Sequence, residues 1–193
     1  RFASERVNQL GKWNIEFLHG HILDKEFLKR NLNDADVVHH LAGITDVAYV
    51  KKESSLEKDE NIKKIAIDGT NNVLNSISQT CKIIFPSTHV IYEGINETKR
   101  NIDENEKPYP VLVYASSKFQ NEKDIISSKK NYVILRLGSV YGYSSTDTMR
   151  INIMPNLFSK IASQNGTIRL FSGGEQIKSL VPLIDVVRCM KLM

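Results

Sequence analysis

The chain has 193 residues, 41% of them hydrophobic and 25% charged, a composition that excludes a disordered segment and suits one globular domain with a sizeable core. Its 26 basic and 22 acidic residues leave a formal charge of +4, spread along the chain without a basic tract interleaved with aromatics, which argues against nucleic acid as a partner. No apolar run approaches the ~20 residues of a membrane span and the start is not signal-like, so the expectation is a soluble, cytoplasmic protein with no membrane partner.

In chain order, Ile15-Glu16-Phe17-Leu18-His19 alternates apolar and polar residues and reads as a short strand. Asp24 suits a helix N-cap, with Phe27, Leu28 and Leu32 at helical spacing behind it. Residues 36–43, Asp-Val-Val-His-His-Leu-Ala-Gly, read as a buried parallel strand whose small terminal residues let a ligand approach. The polar stretch 45–58 reads as a loop or helix start, with Lys51, Lys52 and Glu53 facing solvent. A helix over 59–78 follows from Ile62, Ile65, Ala66, Val73, Leu74 and Ile77.

Residues 82–85 read as a strand broken by Pro86, and 93–110, with two prolines and many charges, as a long surface loop. A helix follows over 113–128, then a strand over 132–137 and a polar loop over 138–150. Beyond it the pattern predicts a helix over 155–162, a strand over 167–171, a turn at Gly173-Gly174, an extended run over 180–183 and a helix capped by Asp185. This alternation implies right-handed crossovers and an α/β fold built on a doubly wound parallel sheet of the Rossmann type. Cys81 and Cys189 fit no metal spacing and are expected as reduced, packed thiols. His39 and His40 point to opposite faces of one strand, and His19 and His21 have no third ligand, so no metal site is expected. The opening at Arg1 without a methionine and the stop inside a newly begun helix read as those of a fragment.

Within the helix over 113–128, Tyr114-Ala115-Ser116-Ser117-Lys118 puts a phenol and an ammonium four residues apart on one face. The strand-like run ending in Ser87-Thr88 lies before it and the 132–137 strand after it. Three polar groups could thus meet at the carboxyl edge of a parallel sheet, where open α/β folds bind ligands.

Taken together these stretches resemble the extended short-chain dehydrogenase/reductase family, in its NAD-dependent sugar epimerase/dehydratase branch. Residues 36–43 resemble the family's Asp-Val-Val-x-His-Leu-Ala-Ala, and Gly69-Thr70-Asn71-Asn72-Val73-Leu74 its Gly-Thr-x-Asn-Val-Leu. Residues 87–92 resemble Ser-Ser/Thr-x-x-Val-Tyr, 114–118 the Tyr-x-x-x-Lys pair, 136–142 Arg-x-x-Asn-Val-Tyr-Gly, and 178–185 Arg-Asp-Phe-x-x-Val-x-Asp. The resemblance implies a partial dinucleotide-binding Rossmann domain over 1–150. It places the last Rossmann elements and the start of a substrate-binding region in 151–193, with the first βαβ unit lying before Arg1 and most of the substrate domain after Met193.

The same resemblance implies roles for single residues. Tyr114 would be the general acid/base, Lys118 the charge that favours its phenolate and bonds the nicotinamide ribose, and Thr88 the group that holds the reacting oxygen in line. A free phenol has a pKa of about 10, and lowering it by about 3 units takes about 4 kcal/mol of differential interaction. Ile22, Leu41, Ala42, Gly43 and Ser87, with Tyr114 and Lys118, would lie on the cofactor, NAD or NADP. Thr88, Tyr114, Ser139 and Lys178 would lie on a nucleotide-sugar substrate, and the helices 59–78 and 113–128 would form a homodimer interface.

Departures from the family pattern narrow the expectation. His89-Val90 stands where the dehydratases carry Asp-Glu and the decarboxylases a glutamate, and valine moves no proton. His21 replaces an aspartate that meets adenine, Ala66 an asparagine, Ser139 another asparagine, and Lys178 an arginine, which keeps charge without the bidentate fork. The reading is a nucleotide-sugar 4-epimerase, with a keto-sugar or carbonyl reductase and a catalytically idle dinucleotide-binding module as its rivals.

Overall fold

The computed structural model describes residues 2–44, 55–143 and 150–193, so the expected solvent charges at 51–53 and the middle of the 138–150 loop lie outside the described residues. Five strands fall into two parallel sheets. In the first, β1 (Val37–His39), β2 (Lys82–Thr88) and β3 (Asn131–Leu137) run in that order, with Val37 opposite Lys82 and Lys82 opposite Asn131. The second pairs β4 (Ser139–Tyr141) with β5 (Leu180–Pro182). Parallel pairing throughout, with a helix in every crossover between the strands of the first sheet, is the expected Rossmann-type arrangement.

Central β2 buries Ile83, Ile84 and Phe85 to 1% exposure or less. Their side chains alternate between its faces, so β2 is covered on both. Ile83 and Phe85 join Val73, Leu74 and Ile77 of the helix α4 region, Cys81, and Ile125 in one core cluster, against which Leu28, Leu32 and Val38 pack. Helix α2 (Lys25–Leu32) begins where expected, with the Asp24 carboxylate accepting from the Phe27 amide at 3.0 Å. The helix expected over 59–78 starts earlier, behind a Ser55 cap, as α3 (Leu56–Lys63). It runs through a π-helical turn (Lys64–Asp68) into α4 (Gly69–Ser76). Helix α5 (Val113–Ser127) carries the tyrosine–lysine pair.

Several expectations fail for definable reasons. Residues 15–19 are irregular, with Ile15, Phe17 and Leu18 at 47–49% exposure; alternation makes a strand only where a neighbour takes its backbone groups, and β1 pairs with β2 alone among the described strands. Residues 167–170 are likewise unpaired and lead into a 3₁₀ turn (Phe171–Gly174). Helix α1 (Phe2–Lys12) and strand β4 have no counterpart in the sequence reading. Asp185 lies inside the first turn of α7 (Leu183–Leu192), whose cap position is Pro182. Helix α6 (Met154–Ser163) matches its expected place.

Pro86 does not break β2. The Ile84 carbonyl faces β1 and accepts from the His40 amide at 2.9 Å, so the Pro86 carbonyl and its missing N–H, two residues on, face the same side. β1 has ended there, and no ladder bond is lost. No helix of the described residues is long and apolar enough to cross a membrane.

Candidate active site

Pro86 leaves its carbonyl at the carboxyl edge of the sheet, and Lys118 takes it. The ammonium donates to that oxygen at 2.9 Å and lies 4.4 Å from the centre of the Phe85 ring. Burial lowers its pKa from 10.5 to about 8, and the nearby Glu122 carboxylate opposes that fall. Tyr114 sits one turn earlier on the same face of α5, half-buried.

Beneath the ammonium lies His40, 4% exposed, its ring centre 5.4 Å from that of Phe85 and its Nε2 2.9 Å from Thr70 Oγ1. Burial first, then the Lys118 charge, lower its pKa to about 4, so the ring is neutral at pH 7. With the Asn121 amide oriented to satisfy its surroundings, its nitrogen donates to the Ala66 and Ser117 carbonyls and its oxygen accepts from Thr70 at 3.1 Å. The Thr70 proton is then spent on Asn121, which assigns His40 the tautomer that donates from Nε2. The Ala66 carbonyl belongs to the π-helical turn, so that irregularity is built into the support of α5.

Thr88 ends β2 at 8% exposure, and its hydroxyl accepts from the Val90 amide at 3.3 Å, capping a 3₁₀ turn over His89–Tyr92. His89 reaches across to β3, its Nδ1 3.0 Å from the Leu137 carbonyl. Ser87, expected on the cofactor side, turns its hydroxyl inward and donates to Glu122. Glu122 is 1% exposed and is gripped by Arg136 of β3, through Nε at 3.1 Å and Nη2 at 2.8 Å on Oε2. The carboxylate in turn raises the Arg136 pKa above its ordinary value. Arg136 Nη1 donates to the Tyr92 hydroxyl at 2.6 Å and the Glu104 carbonyl at 3.1 Å.

At the end of β1, Leu41 is 63% exposed, Ala42 and Gly43 are exposed, and a Cβ on Gly43 would meet nothing within 4 Å among the described residues. Ile22 packs against Gly69, and its carbonyl accepts from Asn72 at 3.2 Å. Ser139 lies beside the segment that carries Lys178, its amide donating to the Ser179 carbonyl at 2.8 Å. Among the described residues no three His, Cys, Asp or Glu side chains gather to hold a metal ion.

Sequence reasoning passed over Glu122, Arg136 as an ion-pair partner, and the His40–Thr70–Asn121 chain. Glu122 had a signal, since it continues the face of Tyr114 and Lys118 by one more turn. The chain through Thr70 spans three distant segments and had none.

A tyrosine and a lysine one turn apart on a helix beside the carboxyl end of a parallel sheet sit in a Rossmann-type α/β fold. Residues 1–193 match the profile described as the NAD dependent epimerase/dehydratase family, and the chain belongs to that family. A UDP-N-acetyl-alpha-D-glucosaminuronate decarboxylase of Bacillus cytotoxicus is 26% identical over 187 residues, covering 90% of this chain and 54% of that protein. Among solved structures, UDP-glucose 4-epimerase of Thermotoga maritima with UDP-glucose is 25% identical with a TM-score of 0.76, covering 91% of this chain and 57% of that one. UDP-glucuronic acid 4-epimerase of Bacillus cereus, with UDP-glucuronic acid and NAD, is 23% identical with a TM-score of 0.76, covering 98% and 60%. The chain thus spans about half the length of the curated relative it matches.

NAD is the cofactor of this family, and the residues fit it. The open, small-residue end of β1 admits a close-lying ligand, and Lys118, a three-donor group, has one hydrogen-bond acceptor, Pro86, among the described residues.

Proposed function

We propose that the protein is an NAD(P)-dependent nucleotide-sugar epimerase of the 4-epimerase type. The observation that carries this reading is the Lys118 ammonium seated on Pro86, two residues from Thr88 and one helical turn from Tyr114. Tyr114 takes the proton from a sugar hydroxyl and later returns it. Lys118 holds positive charge beside that phenolate and offers its remaining donors to the cofactor ribose. Thr88 orients the reacting oxygen. NAD(P), which Lys118 and the end of β1 would hold, would supply reversible hydride transfer at the sugar carbon. Ile22, Leu41, Ala42 and Gly43 line the cofactor side, Ser87 through its backbone alone because its hydroxyl donates to Glu122, and Ser139 with Lys178 meets the diphosphate.

Val90, half-buried behind Thr88, supports an epimerase over a lyase, since it supplies no proton for loss of water or carbon dioxide. We assign residues 1–150 to the dinucleotide-binding domain and 151–193 to its last elements and the start of the substrate region. Exposed Ile126 (50%) on the stretch 113–128, and exposed Leu56 (84%) at the start of α3 just before the stretch 59–78, support a homodimer through those helices.

The test is incubation of the full chain with UDP-glucose, UDP-glucuronic acid or UDP-GlcNAc and NAD, with products resolved by NMR. C4 interconversion that is lost in Tyr114→Phe while NAD still binds is the expected result. Net consumption of reduced nicotinamide by a keto-sugar would replace the reading with a reductase, release of carbon dioxide with a decarboxylase, and NAD binding without turnover with an idle module.

A further inference from the structure

We propose that Glu122, locked by Arg136, is a positioning residue that sets the Tyr114–Lys118 face of α5 against Thr88 at the end of β2. The inference rests on the catalytic roles proposed above for those three residues and assigns to the same site a component that none of its family motifs names.

Tyr114, Lys118 and Glu122 stand at i, i+4 and i+8, so one face of α5 carries the acid/base pair at one end and a carboxylate at the other. That carboxylate is 1% exposed and makes three contacts with the Arg136 guanidinium, at 3.2, 3.1 and 2.8 Å, besides accepting from Ser87. Ser87 directly precedes Thr88. Tyr92, four residues after Thr88, accepts from the same guanidinium at 2.6 Å and donates to the Asp103 carbonyl at 3.3 Å. Thr88 is therefore bracketed on both sides by groups tied to one ion pair, and the helix bearing Tyr114 and Lys118 is tied to it as well. A bidentate guanidinium–carboxylate pair fixes distance and angle together, which a single hydrogen bond would not. Glu104, whose carbonyl also accepts from Arg136, extends the tie into the 93–110 loop.

Glu122 also acts on Lys118 through charge. The charged and titratable groups around that ammonium are Glu122 and Tyr114 on its own helix and His40 from the end of β1; His40 is neutral at pH 7, and Glu122 favours the ammonium against burial. Removing the carboxylate charge therefore favours loss of the Lys118 proton at lower pH. The ammonium that stabilises the Tyr114 phenolate is then lost sooner as pH rises.

The test compares Glu122→Gln with Glu122→Gln/Arg136→Met, the double variant removing the guanidinium that the first leaves buried without its counter-charge. Three quantities are read: melting temperature, kcat and KM against pH, and the Tyr114 phenolate titration by near-ultraviolet absorbance, with the Tyr114→Phe spectrum subtracted. The double variant is expected to recover the melting temperature lost in the single one. Its kcat is expected to stay about 100-fold low with KM little changed, the alkaline limb of its profile displaced to lower pH. Its phenolate titration should move up by about one unit or more. If kcat recovers along with stability, Glu122 is merely structural and the proposal is overturned. Should no nucleotide sugar turn over even in the wild type, the functional reading fails separately. The phenolate titration then decides: a shift supports the positioning role, and an unmoved titration overturns it.

Discussion

Lys118 and Pro86 share a hydrogen bond of 2.9 Å that exists because Pro86, a residue type that central strands rarely tolerate, here lies just past the last rung of β1 and leaves a carbonyl facing the site. Holding an ammonium there costs stability. Its pKa falls from 10.5 to about 8, which corresponds to about 3 kcal/mol against the charged form. Lys118→Met is therefore expected to be inactive yet about 1–3 kcal/mol more stable at pH 7. Between pH 8 and 10.5 the unfolded chain holds the Lys118 proton more tightly than the folded one. Wild-type stability contributed by this group therefore rises with pH across that window, and the rise vanishes in Lys118→Met. Denaturant melts at several pH values check both points.

His40 makes the opposite end of the pH range sensitive. Its folded pKa of about 4 lies below the ordinary 6.5, so the stability owed to the neutral ring is complete above pH 6.5 and is lost as pH falls toward 4, about 3 kcal/mol in all. Thr70→Val deprives both His40 and Asn121 of their shared hydroxyl and is expected to cost about 1–3 kcal/mol. Urea titrations at pH 7 and pH 4.5 measure these effects, and a His40→Gln variant should flatten the acid slope.

How far this site could be read from sequence differs from residue to residue. Tyr114 and Lys118 were legible because a helix repeats locally, and β2 was legible because three successive apolar residues leave few alternatives. The Pro86 misreading shows the limit: whether a proline interrupts a strand depends on which neighbour its N–H would have faced and where that neighbour stops, a fact held by β1 and not by β2. The strand expected at 15–19 failed likewise, since alternation carries no information about a pairing partner. Glu122 stood in plain view on the face of Tyr114 and Lys118, but only its distant partners, Ser87 and Arg136, show that it turns inward.

Thr88 performs a local task besides the one proposed for it, since its hydroxyl accepts from the Val90 amide. Thr88→Val removes both, while Thr88→Ser keeps the oxygen. The cap alone is expected to cost about 0.5–2 kcal/mol, whereas loss of the orienting bond should lower kcat about 100-fold. A kcat that stays low in Thr88→Val at temperatures where the variant is fully folded, with Thr88→Ser near wild type, separates orientation from capping. Equal activity of folded Thr88→Val and wild type would leave only the cap.

Two glycines offer a contrast between packing and ligand approach. At Gly94 an added Cβ would lie 1.9 Å from Tyr109 Cδ1 and 2.6 Å from the Tyr109 carbonyl. Tyr109 cannot step aside, because its amide donates to Ile91 at 2.8 Å and its carbonyl accepts from Gly94 at 2.9 Å. Gly94→Ala must therefore part the two ends of the 93–110 loop, at an expected cost of about 1–3 kcal/mol, with faster proteolytic cleavage within the loop. Gly43 has open space around its missing Cβ among the described residues, so Gly43→Ala should leave the melt within about 0.5 kcal/mol of wild type. If that space is where the cofactor lies, the same methyl group weakens NAD binding, and calorimetric titration of the full chain with NAD reads the loss directly. A variant with an unchanged melt and unchanged NAD affinity would remove the end of β1 from the cofactor side.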